Sequence, residues 1–347
     1  MLGHSINLLK LGFLGLCLGM TCCFAATAAA ENSGKVADKP LYRDPVFDGA
    51  ADPSLVYNPE AGKWWMFYTN RRATAAGLRG VEWVHGTAIG IAESADGGAS
   101  WSYVGTAEID VPPETASDAP TYWAPEVTRV GDGKWRMYLT VVPGVFADWS
   151  HPRRIVELRS DDLLHWSDAK PLPLANDKVI DATVLQTPGG EWRMWYNNER
   201  DGKSIWQASS DDLTEWVDRG KAIGQRGEGP KVFRWRGHYW LVMDLWRGIG
   251  VFRSVDADQW EQQPEPLLAE PGTGEDDQVI GQHPDVVVSG DRAFLFYFTH
   301  PGRRGPDARK DTSEQRRSSI QVVELFEEEG WLSCDRDAPT QVRLLPQ

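Results

Sequence analysis

Short stretches of alternating apolar and polar residues, rich in aromatic side chains, recur along the whole chain. The clearest stretch occurs five times, at residues 63–68, 134–139, 191–196, 238–243 and 293–298. Each copy follows a turn that contains glycine, and a shorter β-rich stretch precedes that turn. Tyr, Trp, Phe and Val are favoured in strands, and glycine-containing turns between such stretches are typical of antiparallel sheets. The pattern therefore predicts many short strands joined by tight turns.

A second repeated element closes each unit of the pattern. Four copies have the form Ser-x-Asp followed by Trp, at residues 94–101, 160–166, 210–216 and 254–260. Ser and Asp side chains accept hydrogen bonds from nearby backbone N–H groups and so favour turns, and the Trp is large enough to fill the space between two sheets. The fifth unit ends instead on a Gly followed by Trp331.

Five units with the same strand order and the same terminal Trp are typical of a β-propeller. We therefore predict an all-β fold, a five-bladed β-propeller in which each unit is one antiparallel blade. A β-sandwich is the alternative, but it gives no reason for every unit to repeat the same order. The aromatic residues are then explained by packing between the faces of neighbouring blades.

The first thirty residues have a different character. Lys10 precedes an apolar run at 11–24, and the small residues of 25–30 follow it. This order is typical of a secretory signal peptide, and the run is too short for a stable membrane span. We predict that residues 1–30 are a signal peptide, that 31–347 form a single propeller domain, and that the protein is periplasmic or secreted.

Three of the 4 Cys lie in that segment, which leaves Cys334 as the one cysteine of the mature chain. No intrachain disulfide is then expected, and a domain of this size does not need one. Lipidation at Cys17, Cys22 or Cys23 is a less favoured alternative, because the residues before each of them suit lipid attachment poorly. We expect a monomer with no membrane span.

The charge of the chain argues against nucleic acid as a partner. The 347 residues carry a formal net charge of −14, and no cluster of Lys and Arg dominates the sequence. A surface that follows a phosphate backbone needs such a cluster. The arginine-rich stretch at 303–317 is interrupted by Asp307, Asp311 and Glu314, so it is interpreted as a solvated loop rather than an anion site.

Acidic residues occupy similar places in the five units. When the first strands are aligned on a Pro, which is Ala in the third unit, these residues lie around it: Asp52, Glu126, Asp181, Glu228, His283 and Asp285. The first strand of a blade begins near the central channel, so these side chains are expected to face one pocket. Clustered carboxylates repel one another unless they bind a cation, share protons or take part in chemistry. Capping of backbone N–H groups is the alternative for any one of them.

Four short motifs begin these strands: Asp52-Pro53-Ser54, Trp123-Ala124-Pro125-Glu126-Val127, Ile180-Asp181-Ala182 and Glu228-Gly229-Pro230. In this order, from about Asp44 to Trp331, the chain resembles glycoside hydrolase family 43. The resemblance implies a five-bladed propeller enzyme that hydrolyses arabino-, xylo- or galacto-configured plant or algal glycans. Its partner would be an oligo- or polysaccharide.

The resemblance also implies roles for three acids. Asp52 would be the general base, Glu228 the general acid, and Asp181 the residue that orients Glu228 and favours its protonated form by like-charge repulsion. Members of the family invert the anomeric carbon, which requires carboxyl groups about 6.5–9.5 Å apart to leave room for a water. Asp44 is the alternative base, but Asp52 directly precedes the first strand and aligns with Asp181.

Three further residues are expected to contact the sugar. Trp123 offers an apolar face for stacking, Glu126 belongs to the same motif, and His85 lies in an insertion at 70–85. A loop of that length at the rim of a pocket is expected to act as a substrate lid and to favour exo action. By resemblance, His283 is the one candidate metal ligand, for a structural calcium at the axis, and no cofactor is otherwise required.

Other functions are compatible with a propeller. Residues 94–101 fit the Ser-x-Asp-x-Gly-x-x-Trp turn of sialidases, but a count of five blades and the lack of a placeable arginine triad disfavour that enzyme. A sugar phosphorylase would need a basic phosphate pocket. A non-catalytic carbohydrate-binding propeller would use the same pocket, and the presence of Asp52, Asp181 and Glu228 argues against it.

Overall fold

The computed structural model describes Met1 and residues 34–112, 119–131 and 133–347. Apart from Met1, the predicted signal peptide and its cysteines lie outside the described residues. Within those residues, no helix is long and apolar enough to cross a membrane. Helical structure there is limited to single turns, at Glu82–Val84, Glu199–Asp201, Gly305–Asp307 and the short helix α1 (Ser313–Arg316).

Five antiparallel sheets form the blades of a propeller, which confirms the predicted all-β, five-bladed fold. The strands of each blade are consecutive in the chain. The first strands of neighbouring blades contact one another around the ring, so these strands lie nearest the axis. This arrangement explains why the strand pattern repeats along the sequence, since each blade is one continuous segment.

The strands follow in chain order. β1 (Lys35–Val36) precedes blade 1, which contains β2 (Ala50–Asn58), β3 (Lys63–Asn70), β4 (Ala88–Ser94) and β5 (Ser102–Thr106). β6 (Glu108–Ile109) lies at the outer edge of blade 2, which contains β7 (Thr121–Arg129), β8 (Trp135–Val142), β9 (Arg154–Ser160) and β10 (His165–Pro171). Blade 3 contains β11 (Val179–Gln186), β12 (Trp192–Asn198), β13 (Ser204–Ser210) and β14 (Val217–Ile223). Blade 4 contains β15 (Glu228–Trp235), β16 (His238–Asp244), β17 (Ile249–Ser254) and β18 (Glu261–Gln262). Blade 5 contains β19 (Gln282–Ser289), β20 (Arg292–Thr299), β21 (Ser319–Glu328) and β22 (Trp331–Ser333). The last strand, β23 (Gln341–Val342), follows blade 5.

The closing Trp of three blades packs against the second strand of the preceding blade, as the repeat predicts. Edge-to-face contacts join Phe67 to Trp166, Tyr138 to Trp216, and Trp195 to Trp260, with ring centroids 6.0, 5.7 and 6.2 Å apart. Such pairs contribute about 0.5–1.5 kcal/mol each beyond the area that they bury. The Asp of each preceding turn accepts backbone N–H bonds, which holds the Trp in place.

The ring is closed by the two ends of the described chain and not by a blade that they share. β1 pairs with β23, and Tyr42 and Gly49 form backbone bridges to Ile320 and Ser318 beside blade 5. The segment before β2 therefore ties blade 1 to blade 5. The repeat pattern alone did not predict this closure, because the segments that form it lie outside the repeated units.

Each of the five inner strands has a β-bulge at the same place. One residue of every bulge has a positive φ, between 36° and 57°: Asp52, Ala124, Asp181, Gly229 and His283. Non-glycine residues adopt such angles rarely, and they cluster at functional sites where the surrounding structure enforces them. The Pro alignment of the sequence therefore corresponds to a structural register, and it places Asp52, Asp181 and His283 at equivalent positions around the axis.

A second set of five side chains, which we call the axial ring, lies two residues further along each inner strand. Its members are Ser54, Glu126, Thr183, Lys231 and Asp285. Four of them accept a hydrogen bond from a backbone N–H of the next blade: Asp285 from Leu55, Ser54 from Val127, Glu126 from Val184 and Thr183 from Val232. Lys231 instead bridges Glu126 and Asp285, at 2.9 and 2.8 Å. The axial ring thus links all five blades around the axis.

Candidate active site

The bulge residues open into a cavity of about 600 Å³ at one end of the axis. Every blade contributes to its lining, with Asp52, Trp123, Asp181, Glu228 and His283 coming from blades 1 to 5 in that order. A cavity of this volume is typical of sites for small ligands. The structure therefore brings the three predicted catalytic acids together in one place.

Asp52 is buried and held by a guanidinium group. Its two carboxylate oxygens accept hydrogen bonds from Nη2 of Arg71, at 2.9 and 3.1 Å, and Nδ1 of His283 lies 3.3 Å from Oδ1. Burial acts to raise the pKa of Asp52, but Arg71, His283 and Thr69 outweigh it and hold this pKa below its ordinary value. Asp52 is therefore ionised at neutral pH, as a general base must be.

Asp181 has the opposite character. Its Oδ2 accepts a hydrogen bond from the backbone N–H of Gly229, at 3.1 Å, directly beside Glu228 in the chain. Burial raises the pKa of Asp181 to about 7, and the neighbouring carboxylates add to the effect of burial while His283 and Lys203 oppose it. Asp181 therefore holds a proton close to neutral pH, next to the segment that carries Glu228.

Glu228 is more accessible than the other two acids, with 25% of its side chain exposed. Its Oε1 accepts a hydrogen bond from Nε1 of Trp246 at 3.0 Å, and its Oε2 lies 3.1 Å from Nζ of Lys203. Lys203 is shared with Glu199, at 2.8 Å. These contacts fix the carboxyl group at the wall of the cavity, where it is open to a ligand and to solvent.

A fourth carboxylate, Asp244, adjoins the site and was not predicted from the sequence. It pairs with Glu228 between β15 and β16, and it accepts hydrogen bonds from the backbone N–H of Trp246 at 2.6 Å and from Nε2 of Gln282 at 3.3 Å. Burial, together with the charge of Glu228, raises the pKa of Asp244 to about 7. In the sequence this residue is only the polar end of an apolar strand, so no motif distinguishes it.

His283 lies among these acids. A Cβ on Gly229 would come within 2.7 Å of its ring, so only glycine leaves room for it there. Burial acts to lower the pKa of His283, but Asp52, Asp181 and the other acids outweigh it and raise this pKa. A protonated imidazole donates hydrogen bonds and does not bind a metal.

The side chains around His283 do not identify a calcium site, so the site predicted there stays a prediction. Calcium takes about six to eight oxygen ligands. Among the residues that the structure describes, no group of three or more His, Cys, Asp or Glu side chains is arranged to hold a metal ion. The raised pKa of His283 favours an imidazolium, whose positive charge offsets part of the negative charge of the acids.

Of the three residues expected to contact the sugar, Trp123 lines the cavity and the other two do not. Nε1 of Trp123 donates to the carbonyl of Val84 at 2.5 Å, and the buried ring of His85 packs against the indole with centroids 5.1 Å apart. Glu126 belongs to the axial ring, where its carboxylate binds Lys231. Neither position supports the predicted sugar contact of His85 or Glu126, because one side chain is buried against Trp123 and the other lies two residues beyond the bulge.

Asp44, the alternative base, lies outside this cavity. Its Oδ1 accepts hydrogen bonds from the backbone N–H groups of Val46 and Phe47, at 3.0 and 2.6 Å. Its Oδ2 accepts from the hydroxyl of Tyr68 at 2.6 Å and from Nδ2 of Asn70 at 3.0 Å. Four donors therefore occupy its carboxylate, which stabilises the turn before blade 1 and leaves no position for a substrate.

The insertion at 70–85 forms one wall of the cavity, as predicted for a rim loop. Arg71 and Trp83 of this insertion line the cavity, and Trp149 approaches Trp123 from the loop between β8 and β9, with ring centroids 5.9 Å apart. Trp149 is 51% exposed, which makes it an accessible aromatic surface at the rim.

The arginine-rich stretch is not the fully solvated loop that was predicted, since Arg316 is buried and Arg303 lies at the cavity. Arg316 pairs with Asp311, and Arg317 pairs with Glu314, as the alternation of charges suggests. Arg303, however, lines the axial cavity. Charge alternation indicates which residues can pair, but it does not show that the chain between β20 and β21 returns to the cavity.

Comparison with known proteins agrees with the fold. The family model described as glycosyl hydrolases family 43 matches residues 42–332. No curated protein sequence is significantly similar to the chain.

Solved structures with a similar fold include a thermostable family-43 glycoside hydrolase, with a TM-score of 0.60 and 19% identity over 88% of this chain and 98% of that one. A family 43 enzyme from Xanthomonas citri complexed with xylotriose has a TM-score of 0.62 and 16% identity, over 92% and 99% of the two chains. A β-xylosidase/α-arabinofuranosidase from a compost microbial metagenome, complexed with xylotriose in a calcium-free form, has a TM-score of 0.56 and 16% identity, over 86% and 97%. At these identities the structures support the fold alone. Because the family model matches most of the chain, the chain belongs to glycoside hydrolase family 43, a family of glycosidases.

Proposed function

We propose that the protein hydrolyses arabino-, xylo- or galacto-configured bonds of plant or algal glycans, with inversion at the anomeric carbon. The observation that carries the proposal is the convergence of Asp52, Asp181 and Glu228, from three different blades, on one cavity. Inverting hydrolysis of an acetal needs one carboxylate to activate water and one carboxylic acid to protonate the leaving oxygen, on opposite sides of the bond.

Asp52 is the general base of this proposal. Its carboxylate takes a proton from a water molecule, and the oxygen of that water attacks the anomeric carbon on the face opposite the leaving group. Arg71 binds both carboxylate oxygens through a single nitrogen, which orients the base and leaves lone pairs free for the water. The depressed pKa of Asp52 keeps the base ionised well below neutral pH.

Glu228 is the general acid, and Trp246 orients it. Asp181 supports the protonated form of this pair of acids, because a negative charge on either carboxylate repels a charge on the other. Lys203 acts in the opposite direction, since its ammonium group lies 3.1 Å from Oε2. The proposal therefore requires the leaving-group oxygen to replace Lys203 beside Glu228 when substrate binds.

We also propose that the enzyme cleaves glycans from their ends and that it does so outside the cytoplasm. Trp83 and Arg71 of the insertion close one side of the cavity, which favours the end of a glycan chain over its middle. We further propose that the protein acts as a monomer in the periplasm or outside the cell after removal of residues 1–30, where polymeric glycans are accessible. The metal-free state of His283 is part of the same proposal.

The proposal is tested by comparing the wild-type protein with Asp52→Asn and Glu228→Gln on aryl arabinofuranosides, xylosides and galactosides. Each amide keeps the shape of the acid and removes proton transfer, so we expect kcat to fall by at least about 10²-fold. Glu228→Gln should recover activity on dinitrophenyl substrates, whose leaving group needs little protonation, whereas Asp52→Asn should not. Asp44→Asn is the matched control, and its folded fraction should keep the wild-type specific activity.

Two outcomes would contradict the proposal. Near-normal turnover by both amide variants would show that other residues perform the chemistry. Sugar binding by the wild-type protein without turnover of any substrate would favour the carbohydrate-binding alternative, which uses the same cavity.

A further inference from the structure

The cationic side chains that line the cavity are not all matched by acids. Arg71 pairs with Asp52, Arg153 with Glu199, and Lys203 with Glu228. The exposed Arg226 forms no ion pair among the described residues and lies over the ring of Trp246, 4.6 Å from its centre. Arg303 also lines the cavity, but among the described residues it forms no ion pair. Its one hydrogen bond runs from Nε to a backbone carbonyl, that of Gln315, at 3.1 Å. Both terminal nitrogens of its guanidinium group are therefore available to a ligand.

Arg303 lies in a positively charged part of the cavity wall. Its guanidinium carbon is 5.7 Å from the ring centre of Trp83, whose ring lies 6.0 Å from that of His300. Nε2 of His300 in turn contacts Nη1 of Arg71 at 3.2 Å. These four side chains form one continuous surface, which we call the arginine wall, and Asp52 is the one carboxylate paired with it.

His300 does not relieve this positive charge. Its Nδ1 faces the carbonyl oxygen of Arg317 at 2.8 Å, so this nitrogen carries the hydrogen and Nε2 accepts from Arg71. Burial, together with Arg303 and Arg71, lowers the pKa of His300 well below its ordinary value, so the ring is neutral. The arginine wall therefore holds two guanidinium charges against the single carboxylate of Asp52.

The excess charge is unfavourable in the free protein. Desolvation in the cavity and the neighbouring Arg71 lower the pKa of Arg303 to about 10, and Asp311, which forms no ion pair with Arg303, opposes this shift only in part. A bound oxyanion would remove that repulsion. The planar fork of a guanidinium group matches the two oxygens of a carboxylate or a sulfate ester and binds them through two parallel hydrogen bonds.

We propose that Arg303 anchors an anion-binding subsite in the axial cavity, which takes an acidic substituent of the sugar substrate, either a uronate carboxylate or a sulfate ester. The proposal rests on the proposed function, since it names the class of glycan that the same cavity receives. The apolar ring of Trp83 flanks the guanidinium, so a sugar ring can pack there while its substituent meets Arg303. No bond is made or broken at this subsite, which acts through binding alone.

The first experiment compares matched pairs of aryl glycosides that differ by one acidic group: xyloside with glucuronide, galactoside with galacturonide, and galactoside with its 6-sulfate. We expect the wild-type protein to favour the acidic member of at least one pair. Arg303→Gln should lower kcat/KM for that member by at least about tenfold, mainly through KM, and change the neutral member less than about twofold. Equal losses on both members, or a wild-type preference for every neutral member, would overturn the proposal.

Arg304→Gln is the matched control. It makes the same change of charge at the adjacent residue, whose guanidinium donates to Oε1 of Gln278 at 2.6 Å and does not line the cavity. We expect it to behave like the wild-type protein on every pair. If both substitutions lowered kcat/KM equally, the change in overall charge would explain the effect, and the proposed subsite would be refuted.

A binding experiment separates this proposal from the proposed function. Calorimetric titration of the intact protein with glucuronate, galactose 6-sulfate and inorganic phosphate needs no turnover. If glucuronate or galactose 6-sulfate binds to the wild-type protein and to Arg304→Gln but not to Arg303→Gln, the result supports the subsite even if no glycoside is hydrolysed. Hydrolysis of neutral glycosides without such binding would refute the subsite and leave the function intact. Binding of phosphate alone would also refute it, and would favour a phosphorylase.

Discussion

Replacing Lys231 with Met tests whether the axial ring holds the blades together. The ammonium group of Lys231 contacts Glu126 and Asp285, whose side chains are 7% and 3% exposed, and 17% of its own side chain is accessible. Both carboxylates also accept backbone hydrogen bonds from a neighbouring blade. Met fills a similar volume but carries no charge, so the substitution leaves two buried carboxylates without a cation.

The expected magnitude follows from that geometry. Removing one partner of a buried ion pair destabilises a protein by about 3–5 kcal/mol, because the remaining charge stays buried. Stabilities of folded domains are about 5–15 kcal/mol, so Lys231→Met should lose a large part of the free energy of unfolding. Lys221→Met is the matched control. Its partner Asp201 lies 2.7 Å away, but both side chains are more than a third exposed, so solvent screens the pair and we expect the stability of this variant to match that of the wild-type protein.

Urea unfolding followed by tryptophan fluorescence measures both variants. Burial raises the pKa of Glu126, and Lys231→Met removes the cation that opposes this rise, so the loss of stability in Lys231→Met should become smaller as the pH is lowered. Adding Glu126→Gln and Asp285→Asn to Lys231→Met should recover most of the stability, since no buried charge then remains. A loss below about 1 kcal/mol at pH 7, or no recovery in the triple variant, would refute the role of Lys231 in the axial ring.

Three further predictions concern the acids around the cavity. The pKa of Asp244 is higher in the folded protein than in the unfolded chain, so this residue lowers the stability increasingly as the pH rises from the pKa of the unfolded chain to about 7. Asp244→Asn should therefore raise the unfolding temperature at pH 8 and not at pH 3. No gain at pH 8 would contradict the raised pKa. Asp181 gives up its proton at about pH 7, and the pair that it forms with Glu228 then has no proton left for the leaving oxygen, so kcat/KM should fall as the pH rises through that value. Asp181→Asn should remove or shift this limb, whereas an unchanged limb would assign it to another group. A metal chelator should leave kcat/KM and the unfolding temperature unchanged, since His283 is surrounded as an imidazolium; a loss that calcium restores would show that it binds a metal.

The fold could be predicted from the sequence because each blade is one continuous segment that repeats the same local interactions. The turn Asp residues, the closing Trp residues and the aromatic second strands all contact neighbours within the same blade or the next one. The Pro alignment also corresponds to the bulge in the inner strands. For this reason the repeat pattern alone places Asp52 and Asp181 at equivalent positions around the axis.

The prediction did not succeed where a short distance along a strand decides the environment. Glu126 lies two residues beyond the bulge and Asp52 lies within it, so one belongs to the axial ring and the other to the cavity. Both acids lie within one residue of the aligned Pro, and closeness to the Pro does not show which side of a bulge a side chain occupies. The residue-by-residue register does separate them, since Glu126 aligns with Lys231 and not with Asp181.

Residues on long connections could not be predicted for a different reason. Arg303 reaches the cavity because the connection between β20 and β21 folds back over the end of the axis, and nothing in its local sequence specifies that path. Asp244 is similar, since its role depends on its cross-strand partner Glu228 and not on its own neighbours in the chain. In each case the contact is formed between segments whose relation only the folded structure shows.

Inversion by Asp52 and Glu228 is the central step of the proposed function, and the anomer of the first product tests it directly. Proton NMR during hydrolysis of an aryl glycoside that the wild-type protein cleaves resolves the two anomers of the released sugar before they equilibrate. We predict that the anomer opposite to that of the substrate appears first and that the other grows in only by mutarotation. Initial release of the retained anomer would contradict the account, because it requires a covalent intermediate in place of a water activated by Asp52.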